Sequence, residues 1–358
     1  YLSPFLGFTA GWTFLIAKSA SAATAALGFA GYLKNTFGPA LPLPLVAVAE
    51  AAVIVLTLVV LGGLRRSSHL NAALVGIAML SLTAFVLCGL PAAAERWQGS
   101  FFPFFASPSG EPPLRALFHA TALLFVAYTG YGRIATLGEE VREPRRVIPR
   151  AILVTLLVTM VLYVLVTTVA LAVAGAPAFA RATRGEAAPL EIVARSFGGF
   201  AQPWVPWLVG IGATVAMLGV SLNLLLGLSR VLLAMGRRRD VPALFARIDS
   251  RGRTPGPAVV GVAALIAGIA WIGDIGATWS LSAFTVLVYY ALTNLAALRL
   301  SGRERLFPRW IAVAGLAGCL FLAFWVEPEI WLTGLALLAA GWLWFLVATR
   351  WRGRAGVS

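Results

Sequence analysis

The sequence contains little charge, two cysteines and two histidines. Charged residues make up 12% of its 358 positions, about half the share that soluble domains carry. Cys88 and Cys319 lie in separate apolar runs, so they do not predict a disulfide or a metal site. His69 and His119 lie at the ends of apolar runs, without a second set of ligands beside them. We therefore expect no metal, no cofactor and no enzyme activity, since an enzyme would need clustered ionisable groups.

Hydrophobic residues dominate the chain. They account for 60% of it, and the mean hydropathy is +0.88, well above the values of soluble proteins. This composition predicts an all-α polytopic membrane protein. The net charge of +14 would suggest nucleic acid as the partner of a soluble protein. Here the arginines lie in short loops between apolar runs, which is the pattern of membrane orientation, so we expect the lipid bilayer and not nucleic acid as the partner.

Apolar runs long enough to cross a bilayer need about 20 residues. The sequence contains about ten such runs, one of them short: Phe5–Leu33, Leu45–Leu64, Leu70–Leu90, Leu114–Leu137, Ile148–Ala174, Trp204–Met235, Pro257–Ile272, Trp279–Leu300, Trp310–Val326 and Ile330–Ala348. The longest loops, Pro91–Pro113 and Ala176–Pro203, are rich in proline, glycine and alanine and are predicted to be surface connections. The chain is predicted to form a single transmembrane domain.

Arginine is concentrated in every second loop. The loops after the second, fourth, sixth, eighth and tenth runs contain most of it, whereas the alternate loops contain few or no cations. Because cytoplasmic loops carry the excess of Lys and Arg, this bias predicts a cytoplasmic C-terminus. Arginine also greatly outnumbers lysine, which is typical of a GC-rich genome, and we expect the cytoplasmic membrane of a bacterium.

The stretch from Leu123 to Arg150 combines an apolar half with a charged, proline-containing half. Gly130 and Gly132 interrupt the apolar half, and glycine lowers the cost of leaving helical geometry. An unwound turn at membrane depth persists only where its backbone groups face a cavity or a ligand. Broken helices of this kind form the binding sites of many transporters. The alternative is an unbroken helix in which glycine permits close packing.

The residues of this stretch resemble a known family. FVAYTGYGRIATLGEEVREPRRVIPRAI, from Phe125, is similar to the sixth span and following loop of the amino acid–polyamine–organocation (APC) permeases. Segments starting at Gly7, Leu224 and Thr285 resemble the family's third, eighth and tenth spans. The resemblance covers nearly the whole chain.

The resemblance implies a LeuT-type fold, with two inverted repeats followed by two further spans. On that alignment the chain corresponds to family spans 3–12: residues 1–90 are the remainder of the first repeat, 114–300 the second repeat and 310–349 the two last spans. The first two spans of the family have no counterpart, and the sequence leaves open whether Tyr1 is the true start.

In similar permeases, carbonyl groups of the unwound sixth span bind the ammonium group of the substrate. Carried over by position, this implies a substrate-binding segment in which Val126, Ala127 and Thr129 offer carbonyls and Gly130 is the break. Its aromatic members would be Phe125, Tyr128 and Tyr131. The sequence departs from the common pattern at Gly132, where many relatives have an acid, and at Glu143, where they have Asn.

Lys18 lies near the middle of its apolar run. An ionisable group at that depth is costly and is a functional hypothesis by default. Proton-coupled relatives can use a lysine of the fifth span, but the matching position here is Ala78. We hypothesise that Lys18 supplies the proton-coupling charge. The alternative is a structural lysine, for which Glu50 is a candidate partner that does not lie at the same depth in the membrane.

Charged residues near the cytoplasmic ends form a second candidate group. Glu139, Glu140, Arg146 and Arg230 are candidates for an inner gate of exchanging ion pairs; the alternative is ordinary loop charge. Together these features predict a secondary active transporter of amino acids or related organic cations, with proton coupling. The other hypothesis is a receptor-like or non-transporting remnant of the family. Substrate identity, coupling ion and oligomeric state stay open.

Overall fold

The computed structural model describes residues 3–38, 42–63, 68–101, 112–131, 141–183, 188–248 and 254–355. All regular structure in these ranges is helical, which confirms the all-α class. Six of the described helices are long and apolar enough to cross a membrane, namely Pro4–Phe37, Asn71–Phe101, Pro144–Ala174, Val205–Arg237, Ile275–Leu298 and Pro328–Thr349. Three shorter apolar helices are Leu45–Leu61, Gly256–Ala270 and Arg309–Ala323.

The α-helices are numbered in chain order. They are α1 (Pro4–Phe37), α2 (Leu45–Leu61), α3 (Ser68–Phe101), α4 (Pro113–Phe125), α5 (Pro144–Ala174), α6 (Ala176–Arg181), α7 (Pro189–Ala194), α8 (Val205–Arg237), α9 (Gly256–Ala270), α10 (Ile275–Leu298), α11 (Arg309–Ala323) and α12 (Pro328–Ala355). Short 3₁₀ segments cover Val126–Tyr131, Gly199–Ala201 and Ala243–Ala246. Nine of the ten predicted apolar runs therefore coincide with helices, with bounds that shift by a few residues at most ends. The fourth, Leu114–Leu137, is described only up to Tyr131, and its α-helix ends at Phe125.

Helix α3 is the main exception to the predicted bounds. It was expected to end at Leu90, before Pro91, but it continues through that proline to Phe101. Alanines and other strong helix formers follow the proline, and two contacts fix the extension to the end of α5. Arg96 donates to the carbonyl of Val173 at 3.0 Å, and Ser100 Oγ donates to the carbonyl of Ala172 at 2.7 Å. The predicted loop is thus partly helix.

The described chain forms two compact units. The first contains Tyr1–Leu27, Leu43–Ser67 and Met217–Ser358. In this unit α10 packs against α11 and α12, and α2 packs against α9. Helix α1 joins α12 through Trp12, whose Nε1 donates to the carbonyl of Leu337 at 2.9 Å.

The second unit contains Gly28–Pro42 and Ser68–Ala216. Its core lies between α3 and α5 and is completed by residues that follow α5. Phe85 of α3 and Val169 of α5 are buried there with Phe197. Gly89 permits the close approach of α3, since a Cβ at that position would lie 2.5 Å from Val169 Cγ1.

The second predicted surface loop, Ala176–Pro203, contributes to this core. Its residues Val193 and Phe197 are buried, and Glu191 is only 2% exposed. Thr36 Oγ1 donates to Glu191 Oε2 at 3.0 Å, and Arg195 forms an ion pair with Glu191 Oε1 at 3.0 Å. Arg195 also donates to the carbonyl of Asn35 at 3.1 Å. The expectation of a surface connection is wrong, because these contacts attach α7 to the end of α1 and bury its apolar face.

Gly210 should be sensitive to substitution because it lies against this polar cluster. A Cβ at Gly210 would lie 2.5 Å from Thr36 Oγ1 and 2.8 Å from Glu191 Oε2. We expect Gly210→Ala to destabilise the protein by about 1–3 kcal/mol through overpacking. The measurement is the thermal unfolding midpoint in detergent.

The matched control is Gly76→Ala on α3, where a Cβ meets no atom of the described residues within 4 Å. That variant should unfold at or above the temperature of the parent, because alanine is the better helix former. Equal midpoints for the two variants would show that Gly210 is not closely packed.

Candidate functional site

The segment from Phe125 to Tyr131 leaves α-helical geometry. Helix α4 ends at Phe125, and Val126–Tyr131 forms a 3₁₀ helix. The change therefore begins at Val126, four positions before Gly130, the residue at which the break was predicted. Gly132 lies outside the described residues. Short 3₁₀ stretches are common at the ends of α-helices, and here the stretch follows α4 up to the last described residue before the gap.

Thr129 contributes to the local change in geometry. Its Oγ1 donates to the carbonyl of Val126 at 2.7 Å, and such side-chain bonds compete with the α-helical bonding pattern. Val126 and Thr129 are 7% and 4% exposed. Because a 3₁₀ helix has three residues per turn, these two side chains share one face and anchor the segment in the protein.

Helix α5 contacts Ala127 and Tyr128, the two residues between Val126 and Thr129. The hydroxyl of Tyr163 donates to the carbonyl of Ala127 at 3.3 Å. The rings of Tyr128 and Tyr163 meet edge to face, with centroids 5.4 Å apart and an interplanar angle of 66°. Sequence reasoning missed Tyr163, although a lone tyrosine among aliphatic residues and threonines of a membrane helix is a detectable signal.

Gly130 is exposed in the described structure. Its φ does not lie in the left-handed region, and a Cβ at this position would have no neighbour within 4 Å among the described residues. The glycine is therefore not needed for an unusual backbone conformation. Among the described residues, the position beside Gly130 on the 3₁₀ segment is therefore open. Phe125 is partly exposed at the start of this segment, and the side chain of Tyr131 lies outside the described residues.

Lys18 lies on α1, partly exposed, in the first compact unit. The next turn of α1 bonds to α10, since Ser21 Oγ is 2.7 Å from Ser282 Oγ. Ser282 Oγ also donates to the carbonyl of Ala17 at 3.0 Å. Lys18 thus adjoins a polar seam, which we define as Ser21, Thr24, Thr278 and Ser282. Glu50 Oε1 is buried and accepts no hydrogen bond in the described structure, so no pairing with Lys18 through this atom is seen there.

Only two of the four predicted gate residues lie in the described part of the chain. Glu139 and Glu140 lie outside the described residues. Arg146 is exposed in the first turn of α5, and Arg230 is exposed on α8. Ion pairs found in the described ranges involve neither arginine. The gate remains a prediction, as do the substrate-binding segment and the role of Lys18.

Metal binding has no visible support in the described part of the chain. No group of three or more His, Cys, Asp and Glu side chains is placed there to hold an ion. Cys88 and Cys319 are both free thiols.

Six described helices that are long and apolar enough to cross a membrane define a class, that of polytopic helical membrane proteins. A family model described as amino acid permease matches residues 1–349, and the chain belongs to this family, within the APC superfamily. An uncharacterized transporter of Mycobacterium tuberculosis is 39% identical over 340 residues, which cover 95% of this chain and 73% of that protein.

Two relatives in Bacillus subtilis have more specific names. A branched-chain amino acid permease is 27% identical over 71% of this chain and 55% of its own length. A methylthioribose transporter is 24% identical over 98% of this chain and 77% of its own length. These names are those of transporters and not of enzymes. They support transport of amino acids or related substrates by a multi-pass membrane protein.

The residue that precedes α5 has an unusual backbone conformation. Glu143 has φ 51° and ψ 56°, in the left-handed region, and its side chain makes no capping hydrogen bond. Asparagine is the non-glycine residue best tolerated there, and it is the residue that the APC pattern has at this position. We expect Glu143→Asn to stabilise the protein by about 1 kcal/mol.

Thermal unfolding in detergent measures this effect. Glu143→Ala is the control. Alanine removes the same carboxylate, but unlike asparagine it does not readily adopt the left-handed backbone conformation. A midpoint for the asparagine variant no higher than that of the alanine variant would contradict the explanation.

Proposed function

We propose that this protein is a secondary active transporter of amino acids or related organic cations in the bacterial cytoplasmic membrane. It works by alternating access with proton coupling. The observation that carries the proposal is the 3₁₀ segment Val126–Tyr131, which follows α4 within the part of the chain that the amino acid permease model matches.

Carbonyl groups of this segment are the proposed acceptors of the substrate ammonium. Carbonyl oxygens released from i→i+4 bonding keep acceptor capacity, and each has two lone pairs. The carbonyls of Val126 and Ala127 each accept a side-chain hydroxyl, so both oxygens can be reached by donors other than backbone amides. A charged donor strengthens such a bond, and exclusion of water increases its value.

In this proposal, the ammonium-bearing part of the substrate occupies the open position beside Gly130. That position adjoins the carbonyl-bearing segment and no described residue would contact a Cβ there. Phe125, Tyr128 and Tyr131 would supply apolar contact on the same segment. In alternating access, two bundles rock around such a fixed site. The repeats at 1–90 and 114–300, the cytoplasmic C-terminus and the gate of Glu139, Glu140, Arg146 and Arg230 belong to this proposal.

The decisive experiment fills the space at Gly130. Intact protein in proteoliposomes is tested for uptake of labelled amino acids with an inward proton gradient. We expect Gly130→Leu to reduce uptake at least tenfold, because the side chain occupies the position of the substrate, while the unfolding midpoint stays close to that of the parent.

Gly76→Leu is the matched control, since Gly76 is equally open and lies on α3. It should retain uptake. Equal uptake by Gly130→Leu and parent would contradict a site at this segment. Amino acid binding by the parent without flux would support the receptor-like alternative instead.

Proton coupling is tested at Lys18. We expect Lys18→Ala to abolish the acceleration of uptake by an inward proton gradient, because the only ionisable group proposed for coupling is removed. Exchange of labelled for unlabelled substrate should persist, since exchange needs no net proton movement.

Lys34→Ala, near the end of the same helix, is the control and should keep the dependence on the gradient. An unchanged pH dependence in Lys18→Ala would remove Lys18 from the coupling mechanism.

A further inference from the structure

Tyr163 is placed near the middle of α5, where a hydroxyl group needs a partner. Its surroundings on this helix, LLVTMVLYVLVTT, are aliphatic apart from threonines. In a membrane span an unpaired hydroxyl is costly. The threonines can bond to their own helix, as Thr159 does with the carbonyl of Thr155 at 2.8 Å. A tyrosine hydroxyl extends too far from its own backbone for that solution and has to bond elsewhere.

The partner of Tyr163 is a carbonyl of the broken segment. Its hydroxyl donates to the carbonyl of Ala127 at 3.3 Å. Its ring contacts that of Tyr128, the next residue. One side chain of α5 therefore contacts two consecutive residues of the 3₁₀ segment, and together these contacts restrict rotation of the segment about its axis.

A second face of the segment is fixed in the protein because its side chains are buried. Val126 and Thr129 are buried and joined by the bond from Thr129 Oγ1 to the Val126 carbonyl. With burial fixing one face and Tyr163 the other, the direction of the Ala127 carbonyl is determined. A preoriented acceptor loses less freedom when a ligand binds, which increases affinity.

We infer that Tyr163 is a positioning residue for the transported substrate, acting through the Ala127 carbonyl. The hydroxyl holds that carbonyl oxygen in one orientation, in which it receives the ammonium group of the substrate. The inference rests on the proposed function. It adds a residue of a neighbouring helix that neither the family motif nor the names of the relatives assign to the site.

Tyr163→Phe removes the hydroxyl and keeps the ring, so the contact with Tyr128 is preserved. For the amino acid taken up fastest, we expect KM to rise about five- to twentyfold, in the range of one hydrogen bond acting on a charged contact. Vmax should change less than twofold, because the bond orients the bound substrate and does not control the movement of the helices.

A ligand without the ammonium group separates positioning from general structural damage. The desamino analogue of the same amino acid is measured as a competitive inhibitor of uptake. Its inhibition constant should change less than twofold in Tyr163→Phe, since it has no group to bind the Ala127 carbonyl. A distorted pocket would weaken the analogue and the amino acid to the same extent.

Thr159→Val is the matched control. It removes a hydroxyl one turn earlier on α5, but one that bonds only within its own helix, so KM should stay within twofold of the parent. Unfolding midpoints of both variants report whether the fold is kept.

The outcomes are distinct. A parent protein that neither binds nor takes up amino acids would contradict the proposed function, and the role of Tyr163 with it. Parent uptake with an unchanged KM in Tyr163→Phe would overturn the inference alone. A parallel loss of affinity for the amino acid and its desamino analogue would also overturn it, by showing a structural effect.

Discussion

Backbone hydrogen bonding governs this structure, because a lipid-embedded chain has no water to satisfy its amides and carbonyls. Long helices such as α1, α5 and α8 meet the requirement within themselves. The segment Val126–Tyr131 cannot do so in the same way, since α-helical bonding stops at Phe125. It persists with help from two side chains, Thr129 on its own turn and Tyr163 on α5. In the proposed mechanism, carbonyls of this segment are the acceptors of the substrate ammonium.

Hydroxyl side chains meet a related requirement in the first compact unit. Many bond to their own helix, as Thr13 does with Thr9 at 2.7 Å and Thr57 with Val53 at 2.6 Å. The polar seam is different because its hydroxyls bond between α1 and α10, as in the pair Thr24 and Thr278 at 2.9 Å. Polar contacts of this kind hold membrane helices together. Lys18 adjoins the seam on α1, since it follows Ala17, whose carbonyl accepts from Ser282, and lies one turn before Ser21.

The buried carboxylate of Glu191 shows how a connection can become part of a core. A carboxylate taken out of water needs strong partners, and Thr36 and Arg195 supply them. These contacts join α7 to the last turns of α1, while Val193 and Phe197 fill the core between α3 and α5. Residues 188–203 consequently form part of the core of the second unit, which a surface connection would not do.

The sequence alone determined the membrane class, the all-α fold, the family and the positions of nine apolar helices in the described part of the chain. It could do so because hydropathy and loop charge are local properties of the chain. Tertiary contacts decided what local properties cannot specify. They extend α3 through Pro91, bury Glu191 against Thr36, 155 residues away, and bring Tyr163 to Ala127 across 36 residues. The reason is physical: a buried polar group takes whichever partner the packing places within reach, and sequence spacing does not reveal that partner.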